Sequence, residues 1–145
     1  MSRVTVSAPT PAVVEVTGDT TTTITTAASG PQGPAGTTPI YSRAGQLAPL
    51  VGQGRFYFES ACVIGKVRAS VGTVPVGDAV VIDVNVNGVS IFTDQAQRPS
   101  IEAGTSTDTS TPNRAVNAGD YITVDIDSVG TTNPGADLTV TVTIQ

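Results

Sequence analysis

The sequence predicts an all-β chain: a compact, jelly-roll-like β-sandwich over residues 40–145, preceded by an extended N-terminal arm and a short collagen-like linker. Three observations predict it. Apolar residues alternate with polar ones at period two in several segments, and nowhere at helical period. Gly and Pro, 15 and 10 of 145 residues, punctuate those segments at turn-like intervals. The first 29 residues hold too few large apolar side chains to close a core of their own.

Residues 1–29 are rich in Thr, Val and Ala, with Pro9 and Pro11 early and a Thr run around Ile24 late. Thr and Val favour extended backbone, and Val4/Val6 and Val14/Val16 alternate with polar neighbours, so this arm can add strands to another surface. Its apolar residues Val4, Val6, Val13, Val14, Val16 and Ile24 have no mates among the strands predicted downstream. They are expected to be buried by another chain. Residues 30–39 then read Gly-Pro-Gln-Gly-Pro-Ala-Gly-Thr-Thr-Pro, with Gly at every third place from Gly30 to Gly36. That is the collagen repeat, in which only Gly fits where three polyproline II chains meet. So few triplets cannot hold a triple helix alone. They serve either as a stiff proline-rich spacer or as a place where three copies, trimerised by flanking parts, run together with Pro31 and Pro34 near the threefold axis.

Within residues 40–145 the strands are read from alternation. Residues 55–59 and 63–71 are two candidates, set off by Gly52 and Gly54 before and by Gly72, Pro75 and Gly77 after. Val80, Ile82, Val84 and Val86 point inward from the next strand, and Asn87-Gly88 supplies a two-residue type I′ turn into a return strand over 89–93. Ile122, Val124 and Ile126 mark a strand over 121–127, and Leu138, Val140, Val142 and Ile144 mark the last, over 138–145. Pro99, Pro112, Gly119, Gly130 and Pro134-Gly135 fall in loops. Six or more short strands at this spacing form a sandwich rather than an α/β unit, and no helix longer than a turn is predicted.

The composition narrows the chemistry. With no His and one Cys, the Ser-His-Asp, Cys-His and His-ligand metal chemistries are excluded. Net charge is −5, and the seven cations are scattered, so neither a nucleic acid nor an anionic membrane is an expected partner. There is no signal-type apolar segment and no run of 18 apolar residues, which predicts a protein neither exported by such a signal nor spanning a membrane. Cys62, without a mate and flanked by Ala61, Val63 and Ile64, suits a buried small hydrophobe made in a reducing cytoplasm.

Carboxylates are the remaining apparatus. Asp125 and Asp127 share a strand face at roughly 7 Å, a spacing open to inverting glycosidases or, with loop carbonyls, to calcium. Acids opposite a core face are ordinarily a solvated surface, and three Tyr and three Phe with no Trp make few sugar platforms. Asp83, Asp125 and Asp127 are therefore expected to do no chemistry, and no enzyme activity, metal or cofactor is expected. Gly52-Gln53-Gly54 precedes a strand instead of a helix, so it reads as a turn and not a phosphate loop.

From Arg55-Phe56-Tyr57-Phe58 onward, a set of segments carries a resemblance. They are residues 66–73, Asp83-Val84-Asn85-Val86-Asn87-Gly88 with Ile91-Phe92-Thr93, Arg98-Pro99, Ala118-Gly119-Asp120-Tyr121 and residues 129–138. Together they resemble a β domain of tailed-bacteriophage virion surface proteins, found in capsid decoration proteins and head or tail fibres, often after a short Gly-Pro segment. The resemblance covers about 55–145, and is most specific at 66–73 and 130–138. It implies a homotrimeric, non-enzymatic decoration or head-fibre protein on the outer capsid surface, assembled in the bacterial host cytoplasm. Joined to the arm's unpartnered apolar residues, it implies attachment to the major capsid protein through residues 1–29. The alternative it leaves open is a trimeric tail-fibre tip that presents loops such as 105–113 to a receptor or host surface glycan.

Overall fold

In a computed structural model of the chain, the described residues are 38–145 and the backbone of three short strands before them: β1 (Val4–Thr5), β2 (Val13–Val16) and β3 (Thr22–Thr25). The chain divides into two units, Met1–Gly36 and Thr37–Gln145. In the first, β1 pairs antiparallel with β2 and β2 with β3, setting Val4 opposite Val16 and Val14 opposite Ile24. Five of the six apolar arm residues, Val4, Val13, Val14, Val16 and Ile24, thus fall on strands that pair with one another. Val6, Pro31 and Pro34 lie outside the described residues.

The second unit is all-β. Its strands are β4 (Ile40–Gln46), β5 (Leu50–Tyr57), β6 (Cys62–Thr73), β7 (Val80–Val86), β8 (Val89–Ser90), β9 (Ser100–Ile101), β10 (Thr107–Ser110), β11 (Arg114–Val116), β12 (Tyr121–Ser128) and β13 (Ala136–Ile144). They form two antiparallel sheets. In the first, β10 and β11 lie end to end against β6, followed by β13 and then β4. In the second, β5 pairs with β12, β12 with β7, and β7 with β8 and β9. The only helical turn among the described residues is a 3-10 turn, Gln95–Gln97, whose Ala96 N–H is capped by the Asp94 carboxylate.

The two sheets pack through the inward rows that alternation marks. Ile64, Val67, Ala69, Val140, Val142 and Leu138 from the first meet Val80, Ile82, Val84, Ile122, Val124 and Ile126 from the second, all buried. Burying a Val or Ile side chain stabilises by roughly 1.5–3 kcal/mol against leaving it exposed. A core poor in aromatics therefore closes on β-branched residues, which also suit the pleat. The longest ladder joins β6 to β13, with Val71 opposite Leu138 and Ala69 opposite Val140.

Asn87 and Gly88 both take positive φ, 51° and 82°, as a type I′ turn requires. The return strand is shorter than expected, only Val89–Ser90. Past Ile91, whose N–H still bonds the Val84 carbonyl, the chain leaves the ladder because the Ser90 hydroxyl turns to Asp83 and the Gln95 amide gathers Ser90 and the Phe92 carbonyl. Gly52-Gln53-Gly54 is not a turn either. It lies inside β5, where Leu50, Gln53 and Phe56 face Ile126, Val124 and Ile122, three residues of β5 for every two of β12. Two successive bulges absorb the surplus, with Gly52 and Gly54 at φ 69° and 58°. A Cβ on Gly54 would stand 2.9 Å from the Tyr41 ring, which lies over that glycine.

Candidate functional site

The outer faces of the two sheets differ. On the first, Lys66, Arg68 and Thr143 are exposed and Ser70, Thr139 and Thr141 are half-buried. On the second, most outward residues of β7 and β12 are covered, Asp127 being the exposed one. Asp83, Asn85 and Thr123 retain only 7%, 8% and 6% of their exposure, and Asp125 is half-buried. The solvated face expected for the acids is therefore corrected at Asp83. The segment from Ser90 to Arg98 is tied over it, through Ser90 to Asp83 and through Arg98 to Asp127.

Asp83, Asp125, Asp127 and Asp120 each have a structural partner. Asp83 accepts from the Ser90 hydroxyl at 2.8 Å, yet its burial pushes its pKa above the ordinary value. Asp125, across the ladder from Asp83, accepts from the Gly52 N–H at 2.6 Å and from the Asn85 amide at 2.9 Å. Asp127 pairs with Arg98. Asp120 accepts from the Asn117 N–H and the Asn87 amide, each at 2.7 Å, and these bonds hold its pKa below the usual range. Asp125 and Asp127 thus face different partners and do not form a joint acid–base pair. Among the described residues no group of three or more His, Cys, Asp or Glu is placed to hold a metal ion.

The bulged β5 brings a further set of residues to this face. Arg55 lies 4.3 Å from the centre of the Tyr121 ring, Tyr57 packs against the same ring at 5.5 Å, and the Arg55 guanidinium reaches the Tyr57 hydroxyl at 3.5 Å. The Tyr57 hydroxyl holds the Arg55 pKa above its usual value. Beside this cluster is a cleft of about 210 Å³ lined by Val51, Gly52, Arg55, Asn85, Gly88, Tyr121, Thr123 and Asp125. Sequence reasoning missed Arg55, Asn85, Tyr121 and Thr123 as neighbours. The available signal was the polar residue type at outward positions of two strands already identified.

Other expectations fall as follows. Cys62 is half-buried at the start of β6, packed against the core, and burial raises its thiol pKa. Residues 105–113, expected as a displayed loop, contain the edge strand β10, which pairs with residues 67–70 of β6. No helix among the described residues is long and apolar enough to cross a membrane. The chain matches no protein-family model, no curated protein and no solved structure.

Proposed function

We propose that the chain is a non-enzymatic structural protein of a tailed-bacteriophage virion, decorating the outer capsid surface. Its first unit attaches to the major capsid protein and its second projects as a knob. The observation that carries this reading is the division of the chain at Gly36 and Thr37, inside the Gly-Pro segment, into two units. The second unit closes its own core and holds its outward acids in hydrogen bonds that serve the fold. That leaves the first unit for attachment.

The strand order supports the finer fold. Passing from β4 to β13, the chain crosses between sheets at every step except β7 to β8 to β9 and β10 to β11, and the resulting neighbours are those of a jelly roll. The Gly-Pro segment gathers three chains about Pro31 and Pro34, and the assembled form is a homotrimer. Stabilisation comes from repeated burial across capsomer joints, each of standard interface size, roughly 1,600 Å².

Capsids assembled without the protein are the test. The full chain should bind them, and a chain beginning at Thr37 should not at the same concentration. Undiminished binding of the shortened chain overturns the attachment role. Sedimentation should show three copies, and a monomer both free and on the capsid overturns the trimer.

A further inference from the structure

We propose that the two edges of the second unit are complementary, and that the β4–β5 edge of one copy seats on the β8–β9–β10 edge of the next, joining copies head to tail in a ring. This rests on the homotrimer proposed above and names the surfaces that make it. Topology defines the two edges. β4 ends the first sheet and β5 the second, and the Tyr41 ring over Gly54 brings them to one side. On the other side β10 ends the first sheet and β8 and β9 end the second, joined where the Asp108 carboxylate accepts from the Ser100 N–H.

The β4–β5 edge is open to a partner. Natural edge strands are blunted by outward charge or by proline, whereas the exposed side chains of β4 are Ile40, Ser42, Ala44 and Gln46, none of them charged. Of the five large hydrophobic residues exposed among the described residues, three, Ile40, Val51 and Tyr57, lie on β4 and β5. A groove of about 170 Å³, lined by Pro39, Tyr41, Gly54 and Phe56 among others, opens between the two strands. That is close to the ~150 Å³ that holds a single benzene ring, so the groove takes one apolar side chain. The opposite edge offers one, since Val89 on β8 is exposed as well.

Charge gives the contact its direction. β4 and β5 carry Arg43 and Arg55 and no acid, and Asp125 and Asp137 reach them as acceptors for the Gly52 and Gly45 N–H groups. Arg55 is exposed. Arg43 is half-buried, and its Nε is the one buried side-chain polar atom without a hydrogen-bond partner among the described residues. Residues 89–110, which form the opposite edge, carry Asp94, Glu102 and Asp108 against one cation, Arg98, already paired with Asp127. Asp94 and Glu102 are exposed. Arg114 lies on β11, further along β6, where its charge acts on Asp120. Like edges therefore repel and unlike edges attract, and a contact between unlike surfaces is heterologous, the kind that closes rings. Chain length agrees with this. Gly36 stands four residues before Ile40, at most about 14 Å of chain, so three chains gathered at the Gly-Pro segment hold their β4 edges close to one another.

The test is sedimentation of the full chain over a dilution series. Arg55→Glu and Glu102→Lys should each weaken association about tenfold, and the two together in one chain should recover most of that loss, because the reversed charges again meet across the joint. Val89→Asp should weaken association too, and it probes the groove independently of the charge pair. All three side chains are exposed, so the core is untouched. Unchanged trimers in every variant overturn the edge contact and leave the homotrimer standing. Loss in the single variants without recovery in the double variant overturns the pairing of unlike edges. Association that responds to these variants at a stoichiometry other than three overturns the trimer and supports the contact. A chain monomeric at every concentration overturns both.

Discussion

The outer faces of the two sheets begin from the same sequence pattern and end differently. On β13, Thr139, Thr141 and Thr143 alternate with buried aliphatics and stay at or near the surface. On β7 and β12, Asp83, Asn85, Thr123 and Asp125 alternate with aliphatics just as regularly and are drawn inward. The difference arises outside those strands. Among the described residues no side chain is hydrogen-bonded to the Thr139, Thr141 or Thr143 hydroxyls, and Ser70 donates only to the Thr139 backbone carbonyl, whereas the second sheet has the 90–98 segment tied across one part and the bulged β5 turned toward another. Alternation therefore specifies which face is core, and the loops decide whether the opposite face is wet.

The sharpest test sets an inward residue against this background. Ile82 is fully buried, and Ile82→Ala should destabilise the second unit by about 2–5 kcal/mol, read from urea denaturation. A smaller loss would mean that the sheets do not share one core. Next, Asp125→Ala and Thr141→Ala remove outward side chains from the two sheets. Asp125→Ala strands the Gly52 N–H and the Asn85 amide and should cost about 1–3 kcal/mol, against less than about 0.5 kcal/mol for Thr141→Ala. Equal costs would erase the distinction between the faces.

Gly54→Ala probes the bulge that makes them differ. Its positive φ and the Tyr41 ring 2.9 Å from a built Cβ predict a loss of about 1–2 kcal/mol, and a neutral result would mean that β5 pairs without bulges. The smallest effect is a slope. Burial raises the pKa of Asp83 above 3.8 in the fold, so the folded state holds that proton longer and stability is lost as pH rises from the ordinary value through the raised one. Asp83→Asn should abolish that decline. Asp120 acts in the opposite sense: its pKa is lowered, so its contribution is present above the ordinary value and is lost as pH falls through the lowered one. Denaturation at several pH values for both Asn variants should show the two slopes removed separately.

Much of the second unit is legible in the sequence because its inner rows are unbroken. Val80 to Val86, Ile122 to Ile126 and Leu138 to Val142 each present large aliphatics at strict period two, and all three become core. Of strand β5 only the end, within the expected 55–59, is legible, and its first half is hidden because the bulges stretch the inward spacing to three, through Leu50, Gln53 and Phe56. Strands β9, β10 and β11 are hidden for another reason: two to four residues long and mostly polar, they are strands only because β6 and β7 offer them an edge. The cleft is the least legible part, since it needs Gly52 beside Asp125, 73 residues apart, a neighbourhood that only the bulged pairing creates.

The position of β13 bears on how the protein is made. It is the last of the described strands to leave the ribosome, yet it lies between β6 and β4, pairing with both along most of its length. Until it arrives, β4 has no strand to pair with, β6 is laddered only to β10 and β11 on its other side, and the inner rows of the second sheet lack most of their partner surface. The nascent globule must therefore wait, with β-branched strands unpaired, for its closing piece. Such intermediates expose edges prone to self-association. Premature termination within Ala136–Ile144 would not trim the fold at its margin but would leave a slot through the middle of a sheet, so one faulty message would yield a sticky product instead of a slightly shorter working one.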